Sequence, residues 1–335
     1  MIETKKSKNK LMKVAAILTV VITGVVAISG CTSQQKNLIR IDGAYALQPM
    51  MIKWTDEYHK LHPNVTFDVQ AQGAGTGVNL LLAKQIDLAM VSRSLDPSEI
   101  GKGAVYVSVA RDAVFATINV NNPVFDEIMR KGVTQAQFRD IFINMTITTW
   151  GQLVGTNNTA PIDVYTRSDL GCGAAATWAS FMGKNYKQGD IGVKRTSYGR
   201  GGDVELAQGI VANSNGIGYN NMAYIYDANG FQYNGVLRPV PIDLNGNRTL
   251  DPEENFYENR TLLMNAINNG LLPTPPARVE NLAVNGNFTG ATRDFVLWIL
   301  SADGGQQYVA DNGYVALPSD TIENQINYIE TGIRE

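Results

Sequence analysis

Cysteine is almost absent from this chain: its 335 residues hold two, Cys31 and Cys172. No framework of paired cysteines and no cysteine-rich metal centre can be built from them. Histidine is as scarce, with His59 and His62 three apart on one predicted helix. A cysteine nucleophile at Cys172 would need a base, and those two side chains belong to a distant part of the sequence. Basic residues are in no excess, since the net charge is −3. Nucleic acid is therefore not an expected partner. Long apolar runs are missing too, apart from "VAAILTVVITGVVAI" near the start.

That run is preceded by Lys5, Lys6, Lys8, Lys10 and Lys13 and ends in "SGC". A basic region, an apolar region and a small-residue boundary predict a secretory signal over residues 1–30, and Cys31 resembles the lipid-bearing cysteine of a lipoprotein cleavage box. An uncleaved N-terminal anchor is the competing reading. Either one exports the remainder and anchors it to the outer face of the cell membrane. Loss of the five lysines and Glu3 takes the net charge from −3 to −7. The remaining length suggests about two domains.

The mature part alternates strands and helices. Leu38 to Asp42 reads as a strand, and Leu47, Met51, Trp54, Tyr58 and Leu61 recur at helical spacing up to Pro63. Val65, Phe67 and Val69 alternate, "GAGTG" turns the chain, Val78, Leu81 and Leu82 ride a helix, and "IDLAMVS" is a strand. This β-α-β-α-β order predicts a largely parallel sheet covered by helices, with ligands at the carboxyl ends of the strands. "AVYVSVARDAVFATINVNNPV" reads as two strands, "PIDVYTRS" and "GIGYNN" as further ones, and the chain after residue 250 as mostly helical with a strand-like "GYVAL".

Three strand-to-helix junctions, "DGAYA", "QGAGTG" and "DLGCGAAA", carry glycine or small residues. Such turns leave the first helical N–H groups uncovered, and with the helix dipole these make an anion site. The order of "GAYALQP", "QGAGTGVNLL", "DLAMVSRSL", "VYTRSDLGCGAAATW" and "NGIGYNN" resembles the phosphate-binding PstS-type substrate-binding proteins of ABC importers. The resemblance runs from about Leu38 to Leu317. It implies an α/β, two-lobed type II periplasmic-binding fold with mainly parallel sheets and the ligand cleft between the lobes. Residues 38–116 plus 222–335 would form lobe one and 117–221 lobe two.

The resemblance implies ligand contacts at Ala46 and Leu47, at Ala74, Gly75 or Thr76, at Ser92 and Arg93, and at Arg167, Asp169, Cys172, Gly173 and Ala174. The chain departs from the family pattern at several of these positions. Cys172-Gly173-Ala174 stands where the family has Ser-Gly-Thr, Ala46 and Leu47 offer no hydroxyl, and Arg93 replaces an aspartate that accepts the phosphate proton. Backbone N–H groups at Ala46, Leu47, Gly75, Gly173 and Ala174 are then the expected donors, helped by Ser92 and the fork of Arg167. Asp169 either accepts a ligand proton or holds Arg167 in place. Cys172, at a helix start, is expected to have a lowered thiol pKa; it reads either as a packed residue offering its N–H or as a nucleophile.

"DLNGNRTLDPEE" has calcium-loop spacing: Asp243, Asn245, Asn247, Asp251 and Glu254 at positions 1, 3, 5, 9 and 12, with the Thr249 carbonyl at 7. Arg248 occupies position 6, where that loop favours glycine. A helix start with Asp251 as N-cap and Glu254 closing a capping box is the competing reading. Taken together, the sequence predicts a monomeric, noncovalent binder of a small oxyanion, with phosphate as the expected ligand, that serves an ABC permease and carries a structural calcium ion. Another oxyanion, a carboxylate or a sensor role are the alternatives within the fold. An exported Cys172 hydrolase is the rival from another class.

Overall fold

The computed structural model describes residues 37–169, 171–193, 197–227 and 230–334. The expected signal segment 1–30 and Cys31 lie outside them. Strand β1 (Asn37–Gly43) leads into helix α1 (Gln48–Leu61), then β2 (Val65–Val69), α2 (Ala74–Leu82) and β3 (Leu88–Val91). These three strands pair in parallel, as the alternation in the sequence predicts.

The next apolar stretch is not two strands but one, β4 (Ala104–Asn119). Further along lie β5 (Asp163–Arg167), α3 (Gly173–Met182), β6 (Tyr198–Arg200), α4 (Asp203–Val211) and β7 (Gly216–Asn221). Strand β8 (Ala277–Asn285) then returns to the middle of the sheet. The order is β2-β1-β3-β8-β4-β7-β5-β6, with Leu237–Pro239 paired to β4 as a ninth strand. Both outer thirds are parallel, while β8 and β4 are antiparallel to their neighbours. The sheet is therefore mixed at its centre.

Two apolar cores flank that centre. The first holds Ile39, Trp54, Val78, Met90 and Phe295; the second holds Phe115, Phe138, Trp150, Trp178 and Tyr219. Strand β4 gives Ala104 to Ala110 to the first and Ala113 to Ile118 to the second, so its crossing point is Arg111-Asp112. Met222, Tyr226, Val240, Phe256 and Leu263 also belong to the second core. Ala223 packs against the first core, but most of the segment from Met222 to Ala277 lies in the second, and β8 brings the chain back to the first at Leu282. The reason is aromatic packing: Tyr257 meets Phe115 edge to face at 5.7 Å.

Candidate functional site

The carboxyl ends of the strands from both cores meet over one small cleft. The first core supplies Ala44, Tyr45 and Ala46 after β1, Gly73 and Ala74 at the start of α2, and Ser92 after β3. The second supplies Arg167 at the end of β5, Asp169, Cys172, Gly173 and Ala174 at the start of α3, Asp203 at the start of α4, and Asn221 at the end of β7. Two helix starts from opposite cores thus face one space. A Cβ built on Gly173 would stand 1.9 Å from Ser92 Oγ, so glycine is what allows α3 to approach β3 this closely. Gly171, at φ 60°, lies against Gly75 in the same way.

Arg167 is buried and doubly paired. Its Nε and Nη2 donate to the two oxygens of Asp169 at 2.7 and 2.9 Å, and its Nη1 donates to Asp203 Oδ2 at 2.7 Å. Three of the five guanidinium N–H groups are used, and two have no hydrogen-bond partner among the described residues. Burial works against the charge on Arg167, but Asp203 and Asp169 raise its pKa above the ordinary arginine value. Burial raises the pKa of Asp169, opposed by Arg167. Asp203 sits in the first turn of α4 and also accepts from Asn221 Nδ2 at 2.7 Å. Two carboxylates around one arginine make the side-chain charge of the cleft formally −1, so the electropositive part of the site is main chain and helix dipole.

The structure gathers eight of the residues expected from sequence: Ala46, Ala74, Ser92, Arg167, Asp169, Cys172, Gly173 and Ala174. It does not place Leu47, Gly75, Thr76 or Arg93 in the lining. The N–H of Leu47 is spent on Ala44 O, 3.2 Å away, and its side chain is buried in the first core. Arg93 turns its fork to Glu99, with Nη1–Oε2 2.8 Å and Nη2–Oε1 2.7 Å, and so is held outside the cleft lining. Cys172 does not have a lowered pKa. Burial pushes its thiol up to about 12, against the field of Arg167, and its N–H donates to Gln188 Oε1. The sulfur instead accepts from Ala175 N as the cap of α3. His59, in α1, bonds Val65 O, and His62, just past the end of α1, stacks on Tyr58.

Sequence reasoning missed Ala44, Tyr45, Gly73 and Asp203, while Asn221, which closes "GIGYNN", could be read there either as a cap of the crossing between halves or as a ligand contact. Asp203 had a signal, since "RGGDVEL" is a fourth glycine turn opening a helix. Tyr45 had none. It matters because its ring, from the first core, lies 5.2 Å from the guanidinium of Arg167 in the second.

Beneath the cleft, the buried Arg278 of β8 donates through Nη1 to Ser92 O at 2.9 Å and Thr177 Oγ1 at 3.3 Å, and through Nη2 to Asp112 Oδ2 at 3.0 Å and to Asn221 Oδ1. Glu280 Oε1 lies 3.1 Å from Arg278 Nε, close enough for an ion pair but misaligned for a hydrogen bond. Burial raises the pKa of both Asp112 and Glu280.

None of the loop residues Asp243, Asn245, Asn247, Thr249, Asp251 and Glu254 lines the cleft. The competing helix start is not formed: residues 252–254 make a turn, and the next helix begins at Arg260 with Asn259 as its cap. Among the described residues no three acidic, histidine or cysteine side chains form a metal-binding cluster.

A mixed α/β sheet with two cores, closing helix starts and a buried arginine on a small polar cleft, defines a protein that encloses a small polar ligand between two halves. Residues 27–278 match the PBP superfamily domain, and the chain belongs to that superfamily. It is similar to the phosphate-binding protein PstS of Pseudomonas aeruginosa, at 26% identity over 348 residues, covering 95% of this chain and 98% of that protein. Among solved structures it is similar to a putative phosphate ABC transporter substrate-binding protein with bound phosphate from Clostridium perfringens. That likeness has a TM-score of 0.66 at 22% identity and covers 84% of this chain and 100% of the other. An ABC-type phosphate transport receptor from Vibrio cholerae gives a TM-score of 0.60 at 20% identity, with the same coverage. These two structures establish the type II periplasmic-binding fold.

Proposed function

We propose that this protein captures inorganic phosphate outside the cytoplasm, noncovalently, and delivers it to an ABC permease. The observation that carries the reading is the pairing, in one cleft, of helix starts from both cores with an Arg167 that keeps two N–H groups free beside two carboxylates. The helix starts and Ser92 accommodate negative oxygens. Asp169 and Asp203 already hold Arg167 and Asn221, and as carboxylates each can accept one further hydrogen bond, which suits an oxyanion still protonated at neutral pH and disfavours sulfate. Similarity to phosphate-binding relatives supports the same ligand. Among the described residues no helix is long and apolar enough to cross a membrane. Attachment to the membrane through Cys31 is part of the same reading. The protein acts as a binder and not as a hydrolase, because a thiol pushed up to about 12 is not a nucleophile at neutral pH.

Titration calorimetry with phosphate, sulfate, molybdate and small carboxylates tests this reading. Phosphate should bind at least 100-fold more tightly than sulfate. No heat with millimolar phosphate, or equal affinity for sulfate, would overturn it.

A further inference from the structure

The loop Asp243–Glu254 has no part in the cleft, yet it contains a buried group that its own fold leaves unsatisfied. Glu254 is 5% exposed, and its Oε1 accepts from the N–H groups of Leu244 and Asn245 at 2.9 and 3.0 Å, which turns the carboxylate into the loop. Its Oε2 is buried with no hydrogen-bond partner. A buried anionic oxygen without a partner costs several kcal/mol unless something positive meets it. Among the described residues no lysine or arginine pairs with it: the nearest candidate in sequence, Arg248, donates through Nη2 to Leu153 O at 3.2 Å.

We propose that this loop binds a calcium ion. The carboxylates of Asp243, Asp251 and Glu254, the side-chain oxygens of Asn245 and Asn247 and the main-chain carbonyl of Thr249 would be its ligands. Hard oxygen ligands at positions 1, 3, 5, 7, 9 and 12, with a glutamate closing the loop, suit calcium rather than magnesium, which demands a tighter octahedron and keeps its waters. The three carboxylates do not form a cluster by themselves, so an ion here draws on amide and main-chain oxygens as well and must bring the carboxylates closer together.

The local geometry agrees. Asn245 and Asn247 both turn their amide nitrogens onto Asp251 Oδ2 at 2.8 Å, so three side chains already converge on one point. The side-chain oxygens of Asn245 and Asn247 accept from Asn247 N and Thr249 N at 2.9 and 2.8 Å, and each keeps a second lone pair for an ion. Arg248 is no obstacle, because it already adopts the φ of 63° that position 6 requires. Asp243 holds that turn by accepting from Gly246 N and Arg248 N.

The ion would brace the second core. Asp243 ends a short strand paired with Val133–Thr134, and Leu250 N donates to Arg130 O. Calcium should therefore raise stability and leave anion affinity unchanged, which separates this proposal from the reading of the cleft. The test is calorimetric titration of the EDTA-stripped full chain with calcium chloride, together with melting curves in calcium, in magnesium and in neither. The expected result is one calcium per chain and a melting temperature raised by roughly 3–5 °C at a hundredfold excess over the dissociation constant. Magnesium at the same concentration should give less than a third of that rise.

Glu254→Gln should abolish uptake. Because Glu254 is buried, Asp251→Asn and Asn247→Ala, nearer the surface, provide the same test in chains that fold, and each should weaken calcium binding at least tenfold. No uptake by the parent chain, or undiminished uptake by Asp251→Asn, would overturn the proposal.

Discussion

Replacing Arg167 by alanine separates the two things this side chain does. The change removes three short charge-assisted bonds and leaves Asp169 and Asp203, with side chains 9% and 1% exposed, unpaired in the cleft. Taking one partner from a buried ion pair costs about 3–5 kcal/mol, so the urea midpoint should fall sharply. Ligand affinity should fall for a different reason. The two unused N–H groups are the ones open to an oxyanion, and bonds to charged groups contribute about 1.5–3 kcal/mol each, so phosphate should bind about 100- to 10,000-fold more weakly. The double variant Arg167→Ala/Asp203→Asn removes one stranded charge. It should regain part of the stability and none of the affinity. Calorimetry with phosphate, run beside urea unfolding, reads both quantities. A folded Arg167→Ala chain that binds phosphate within threefold of the parent would refute the reasoning, because Arg167 would then be only a structural ion.

Cys172 should resist iodoacetamide at pH 8 in the native state and react only after unfolding, given its burial and raised pKa; rapid native labelling would contradict the assignment. Gly173→Ala should weaken phosphate binding more than tenfold, because its new methyl group meets Ser92 Oγ at 1.9 Å and must push α3 away from β3; unchanged affinity would show that this close approach is unimportant. The raised carboxyl pKa values of Glu280, Asp112 and Asp169 have a definite sign. The folded state binds their protons more tightly than the unfolded chain does. Their contribution to stability is thus largest below the ordinary carboxyl range, near pH 4, and falls as pH rises toward the folded-state values. Glu280→Gln should flatten that fall and match or exceed the parent's urea midpoint at pH 8, while a steeper decline would reverse the account.

The outer parts of the sheet were legible because their strands alternate cleanly or run apolar between glycine turns. Strand β8 was not. Its Arg278, Glu280 and Asn281 are buried polar residues, and they break the apolar pattern by which a central strand is read. Strand β4 was divided in two for the same reason: Arg111-Asp112 looks like a loop, but Asp112 is fully buried against Arg278. In the cleft, the small residues after glycine could be found from helix-start chemistry. Asp203 and Asn221 depend on contacts spanning the fold, as when Asp203 reaches Arg167 across 36 residues. The loss of Leu47 and Arg93 from the site follows from local bonds to Ala44 and Glu99. The helix-start reading of Asp251–Glu254 failed because Glu254 reaches back to Leu244 and Asn245 instead of capping.

The position of Arg278 has a mechanical consequence. One of its nitrogens holds Ser92 O, on the first core, and Thr177 Oγ1, on the second, while the other holds Asp112 at the point where β4 passes between them. Any motion that parts Ser92 from α3 to admit a ligand must stretch this tether. The release of at least one of its bonds therefore sets a threshold for opening. Gating and anion contact would then be carried by two different arginines, one beneath the cleft floor and one in its wall.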